Sequence, residues 1–222
     1  MESTSVSRPD AGIIGLLGFD EKFLVRCVLR ATSDYRVWKT TVLIPKPVDD
    51  YSRVRSEDAW NRVVRVLGEY AGIPLERVEV DPTDFWSIVS MIRDTIQEML
   101  RKGRVIVCFS GGMRVLGTAL VVAALTVPGA WEQPAVEVCV EHETHAGHTC
   151  FTPPQALAPL KLEPKEYHVL KTLQELGEAG PALIAKETGI PKATVWRILR
   201  KLEQNNIIQR TQEGKYKPKT KI

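Results

Sequence analysis

The chain has 222 residues, a hydrophobic fraction of 44% and a formal net charge of +3, enough for one large domain or two smaller ones with substantial cores. Residues 1–160 hold 17 Lys/Arg against 20 Asp/Glu, net −3, and residues 161–222 hold 13 against 7, net +6, so a polyanionic partner is expected only at the C-terminal end. Residues 1–10 are polar, with no apolar signal core, and the longest apolar run, 115–127, is too short for a bilayer, which argues against a membrane partner.

Residues 13–19 read as a strand, and 21–31 as a helix with Phe23, Leu24, Cys27 and Val28 at helical spacing. A second strand over 37–44 is ended by Pro45 and Pro47. The stripe Trp60, Val63, Val64 and Leu67 predicts a helix over 57–70, stopped by Gly72. A short strand, 77–80, precedes the clearest helix, 84–100, which Gly103 closes. A strand over 105–109 leads into the very apolar helix 115–127, then Val136, Val138 and Val140 alternate as a strand, with 149–151 as a further one. The last two are expected as an antiparallel edge hairpin. Alternating strands and helices imply an α/β fold with a mostly parallel sheet covered on both faces.

Pro153-Pro154-Gln155-Ala156-Leu157-Ala158-Pro159 interrupts the pattern and is read as a linker. The expected organisation is a tail over 1–10, a sensing domain over 11–152, a linker over 153–160 and a second domain over 161–222. In the last, Pro164–Leu176, Pro181–Thr188 and Lys192–Gln204 read as helices, the latter two separated by Gly189-Ile190-Pro191. Strands over 207–211 and 215–219 flank Glu213-Gly214. Helix, short helix, turn, helix, hairpin is the order of a winged helix-turn-helix. In the third helix Lys192, Thr194, Arg197, Arg200 and Lys201 lie away from the apolar stripe Val195, Ile198, Leu199 and Leu202, with Trp196 between the faces. The wing adds Arg210, Lys215, Lys217, Lys219 and Lys221. These are expected to bind double-stranded DNA, Arg197 at base edges and the wing lysines at phosphates; a winged helix used for protein contact is the alternative.

Ser110-Gly111-Gly112-Met113-Arg114 follows a strand and opens a helix, so backbone N–H groups there can face an anion, with the Arg114 guanidinium as a planar fork. Gly18-Phe19-Asp20-Glu21 is a second such junction. With both strands parallel in one sheet, both turns lie on its carboxyl edge, where open α/β folds bind ligands. Taken alone, Asp20 reads as a helix cap and Gly18 as a tight-turn glycine. Gly12-x-x-Gly15-x-x-Gly18 is not the dinucleotide fingerprint and there is no Walker lysine motif, so neither NAD nor ATP is indicated and no cofactor is expected. No Ser/His/Asp or paired-carboxylate signature is present, so an enzyme is not the expected reading and no catalytic residue is assigned. The segment Cys139-x-x-His142-x-x-His145-x-x-His148-x-Cys150 holds zinc-ligand residue types at a spacing that fits no helix–zinc motif. It is read as a polar hairpin loop, with no metal expected. Cys27, Cys108, Cys139 and Cys150 form no CxxC pair and are expected as reduced, mostly buried thiols of a cytoplasmic protein.

At Leu17-Gly18-Phe19-Asp20-Glu21-Lys22-Phe23-Leu24-Val25-Arg26, Pro82-Thr83-Asp84-Phe85 and Ser110-Gly111-Gly112-Met113-Arg114 the chain resembles archaeal CRISPR-associated regulators that join an N-terminal CARF domain to a C-terminal winged helix. The resemblance covers about 11–219. It implies a Rossmann-like sensor, a homodimer, a cyclic oligoadenylate ligand with cyclic tetra-adenylate foremost, and transcriptional control of CRISPR–Cas genes or arrays in antiviral defence. The family's ligand loops match Gly18, Phe19, Asp20 and Glu21, and Ser110, Gly111, Gly112, Met113 and Arg114. Ser110 stands where relatives carry Thr, which keeps the hydroxyl. Two alternatives stay open: a ring nuclease assisted by Ser110 or Lys22, and a regulator that senses another small anion.

Overall fold

The computed structural model describes residues 8–128, 135–143, 147–157, 162–205 and 207–219. It divides into two compact units, one up to Pro153 and one from Pro154 on.

The first unit is built on a six-stranded sheet. Its strands are β1 (Asp10–Leu16), β2 (Arg36–Pro45), β3 (Leu75–Val80), β4 (Arg104–Cys108), β5 (Val136–Glu141) and β6 (His148–Phe151), in the order β3-β2-β1-β4-β5-β6. All neighbours run parallel except β5 and β6. β1 is apolar on both faces because both are covered: every residue from Ala11 to Leu16 is buried. On one side α1 (Lys22–Asp34) and α2 (Asp50–Val63) pack through Leu24, Cys27, Val28, Ala59 and Val63. On the other, α3 (Phe85–Leu100) and α4 (Arg114–Thr126) pack through Ile88, Ile92, Ile96, Leu116 and Leu120.

α2 begins seven residues before the expected start at Glu57. Its first turns are polar, so the apolar stripe does not reach them, and the start signal is a capping box instead. Asp49 Oδ1 accepts from Ser52 N at 2.7 Å, and Ser52 Oγ accepts from Asp49 N at 3.2 Å. The helix then widens into π turns over Val64–Tyr70, which no periodicity foretells. The segment read as a linker begins instead with a short helix, α5 (Pro153–Leu157); a proline is tolerated in a first helical turn, where its missing N–H has no partner to lose. Residues 158–160 lie outside those described.

The cysteines overturn the expectation of free thiols: Cys27 is bonded to Cys108, and Cys139 to Cys150. The topology makes the pairs. Cys139 stands opposite Cys150 in the β5–β6 register, and α1 lays Cys27 over the end of β4. Separations of 81 and 11 residues leave no local trace of this.

The second unit has α6 (Pro164–Leu176), α7 (Pro181–Thr188) and α8 (Lys192–Gln204), followed by the hairpin β7 (Ile208–Arg210) and β8 (Tyr216–Pro218). Val169, Leu173, Ile184, Val195, Leu199, Leu202 and Tyr216 form its core. Among the described residues no helix is long and apolar enough to cross a membrane.

Candidate functional site

In the strand order 3-2-1-4-5 the direction of winding reverses between β1 and β4. A crevice opens at the carboxyl ends of such a pair, and the two loops singled out in the sequence leave from those ends. They meet backbone to backbone. A Cβ added at Gly18 would lie 2.9 Å from Gly112 Cα and 3.0 Å from its nitrogen. Gly111 and Gly112 have φ of +81° and +77°, a left-handed conformation that L side chains rarely adopt. Contact therefore requires glycine at Gly18, conformation at Gly111, and both at Gly112, where a Cβ would also lie 3.0 Å from Leu16 Cβ.

The loops present different chemistry. At the first, Asp20 Oδ1 accepts from Lys22 N at 3.0 Å, so the carboxylate satisfies the start of α1. Glu21 Oε2 accepts from Arg62 Nε at 2.8 Å, and Arg62 Nη2 reaches Phe19 O at 3.4 Å. The hydrogen bond to Glu21 holds the Arg62 guanidinium above its ordinary pKa. The Arg55 guanidinium lies 4.4 Å over the exposed Phe19 ring, a cation–π contact. Arg55 and Arg62 come from α2, and no local motif flagged either.

At the second loop, Met113 precedes α4 with no side-chain cap. The first N–H groups of α4 are thus left to other partners, and the positive end of the helix faces the crevice. Arg114 is exposed beside it. Among the described residues its side chain has no ion pair or hydrogen bond. Ser110 is engaged differently: its Oγ donates to Phe109 O at 2.7 Å and accepts from Glu141 N at 2.6 Å. That hydroxyl ties the end of β4 to the end of β5. Glu141 is in turn gripped by Arg30 through two hydrogen bonds, one of them Nη2 to Oε2 at 2.6 Å. In Pro82-Thr83-Asp84-Phe85, Asp84 caps α3, accepting from Ser87 N at 3.1 Å. A crevice with helix N–H groups, an exposed guanidinium and exposed Phe19 and Met113 suits a ligand with both phosphate and apolar faces.

In the second unit Thr194, Arg197 and Lys201 share a face of α8, and that face borders a groove with Glu163, Lys165 and Glu166 of the α6 start. Lys201 Nζ lies 2.7 Å from Glu166 Oε1, and Glu166 is buried, so this lysine compensates an internal carboxylate. Arg197 and Lys192 are exposed. Arg200 stacks 4.0 Å over the Trp196 ring, placing both on the solvent side of α8. In the wing, Arg210 and Lys217 are exposed. Lys215 lies 2.8 Å from Glu213 and 3.9 Å from Glu178; the hydrogen bond to Glu213 raises its pKa. Lys221 and His145 lie outside the described residues.

Residues 12–152 match the Csa3 CRISPR-associated Rossmann-like domain, and residues 162–214 match the MarR family. No curated protein matches the sequence. Among solved structures, the chain is similar to Can2 from Sulfobacillus thermosulfidooxidans, a complex with cyclic tetra-adenylate, at 12% identity and a TM-score of 0.42 over 95% of this chain and 61% of that one. It is also similar to protein VC1899 from Vibrio cholerae, at 13% identity and a TM-score of 0.44 over 95% of this chain and 62% of that one. The chain thus spans about three fifths of the length of either structure.

Proposed function

Because the chain belongs to the family of the Csa3 CRISPR-associated Rossmann-like domain, we propose that it is a homodimeric transcription regulator of CRISPR–Cas genes or arrays. It senses a cyclic oligoadenylate, cyclic tetra-adenylate foremost, and binds DNA through its MarR-type winged helix. The observation that carries this reading is the backbone contact of Gly18 with Gly112 at the carboxyl edge. That contact merges two loops into one crevice beside Arg114. A cyclic ligand of two-fold character suits a site made twice across a dimer axis. One flank of α4 supports such an axis, since Val115, Val121, Val122 and Leu125 are only partly buried in the single chain. The ligand acts by shifting the population of DNA-binding states rather than by a chemical step.

The engagement of the Ser110 hydroxyl with Phe109 and Glu141 favours holding the ligand over cutting it. A calorimetric titration with cyclic tetra-adenylate, with linear oligoadenylates and other small anions as comparators, tests the ligand. Resolving the products after incubation tests cleavage: intact rings are expected, and linear products would revive the nuclease reading. A titration limited to another anion would move the sensor to that ligand.

A further inference from the structure

The antiparallel register of β5 and β6 places Cys139 opposite Cys150 and Glu141 opposite His148. Side chains alternate along a strand, so Glu137, Cys139, Glu141, His148 and Cys150 all project from one face of the edge hairpin. α1 covers that face, and its Arg30 takes the Glu141 carboxylate. The remaining four, Glu137, Cys139, His148 and Cys150, line a cavity of about 130 Å³ that Cys27, Arg30, Ala31 and Asp34 of α1 also border; the Arg30 charge is taken by Glu141 and the Cys27 sulfur by Cys108. The ligand atoms of Glu137, Cys139 and Cys150 lie within 4.8 Å of one another; His148 lines the same cavity but stands outside that cluster and reaches it only by turning its side chain. Two sulfurs, an imidazole and a carboxylate are the donor types that zinc takes in four-coordinate sites. The set is assembled by strand pairing, which is why no linear zinc spacing shows it.

We propose that the reduced protein binds one zinc ion here, through Cys139 Sγ and Cys150 Sγ, with Glu137 and His148 as the other two ligands. Mixed thiolate and imidazole donors select zinc over hard cations such as magnesium and calcium. The disulfide and the metal exclude each other, because zinc needs thiolates. A dithiol supplies two electrons and two protons to the Cys139–Cys150 bond and itself becomes a disulfide; the two thiols formed release their protons as both sulfurs bind the metal. With Zn–S bonds of about 2.3 Å, tetrahedral geometry sets the two sulfurs roughly 3.8 Å apart, a separation that side-chain rotation in a cross-strand pair can supply. The site neighbours the proposed sensor crevice, since Glu141 N donates to Ser110 Oγ at 2.6 Å, but it does not depend on the identity of the sensed ligand.

The full chain, reduced with excess dithiothreitol, exchanged into metal-free buffer and checked for four free thiols by thiol titration, is titrated with Co²⁺ and then Zn²⁺. One Co²⁺ per chain is expected, with a thiolate-to-cobalt charge-transfer band that Zn²⁺ abolishes. The double variant Cys27→Ser/Cys108→Ser keeps the band, and Cys139→Ser and Cys150→Ser lose it. Glu137→Gln and His148→Ala, which leave the cysteines intact, lower Zn²⁺ affinity at least about tenfold and serve should a cysteine variant fail to fold. Folded, reduced protein that takes up neither ion overturns the proposal. So does a band that survives Cys139→Ser, an unchanged affinity in both Glu137→Gln and His148→Ala, or a Cys139–Cys150 bond that excess dithiothreitol does not open.

Discussion

Arg114 and Arg62 are both cations at the carboxyl edge, but their surroundings separate their roles. Arg62 is taken up by Glu21 and Phe19 O and shapes the loop, whereas exposed Arg114 is left for a ligand. Arg114→Ala is expected to weaken cyclic tetra-adenylate binding by about 1.5–3 kcal/mol, the value of a hydrogen bond to a charged group, with the thermal midpoint unchanged. Arg114→Lys recovers only part, because an ammonium lacks the planar fork. Calorimetry on the two variants checks this. Gly18→Ala tests the contact between the loops: its Cβ would sit 2.9 Å from backbone rather than from a flexible side chain, so the loops must part and affinity falls. Equal affinity in Gly18→Ala and the unsubstituted chain would contradict a shared crevice. Asp20→Ala is expected to act through the start of α1, so its loss of binding follows its loss of stability. The sequence shows Gly111, Gly112 and Arg114 because a left-handed turn before a helix start is a local need, and it shows Gly18 only as a turn glycine, since its contact with Gly112 is tertiary. It is silent on Arg55, Arg62, Arg30 and the disulfide partners, because each acts across a tertiary contact.

At the scale of elements, helix starts and the recognition helix carry separate expectations. Hydrogen bonds from Ser52, Thr83 and Ser87 hold the carboxyls of Asp49, Asp81 and Asp84 below their ordinary pKa. A depressed folded-state pKa adds stability that is present above the unfolded value, about 4, and lost as pH falls through the folded one. The urea midpoint is therefore expected to drop as the solution is acidified below about pH 4, and to drop less steeply in Asp49→Asn/Asp84→Asn. Parallel pH profiles would contradict these caps.

On α8, Arg197→Ala should cost roughly 1–3 kcal/mol on the true operator and relax discrimination at one base pair. Lys217→Ala should weaken operator and scrambled duplexes alike and lower the salt slope by about one. Lys201 and Lys215, read from sequence as DNA contacts, are paired with Glu166 and Glu213; Lys201→Ala should instead lower stability by stranding a buried carboxylate. Salt-dependent titrations and urea melts separate these outcomes. The three helices of this unit were legible from caps and apolar spacing, since Pro164, Pro181 and Gly189 punctuate them. α2 starts ahead of its apolar stripe because its polar first half carries none, and the stripe Trp60, Val63, Val64 and Leu67 is too short to show that the helix widens into π turns over Val64–Tyr70.

For the whole molecule, a mostly parallel sheet covered on both faces followed from the alternation of strands and helices, whereas the strand order and its reversal between β1 and β4 come from the structure, because alternation does not say which strands are neighbours. The site is a product of that topology, since loops 94 residues apart, at Gly18 and Gly112, touch only because their strands are neighbours. A ring ligand shared by two copies of the crevice should bind once per dimer. The most direct test is a calorimetric titration of the purified full chain with cyclic tetra-adenylate. Saturation at one ring per two chains, weakened at least about tenfold in Arg114→Ala, is the predicted result. No heat with the folded protein, or an isotherm that Arg114→Ala leaves unchanged, would contradict the account.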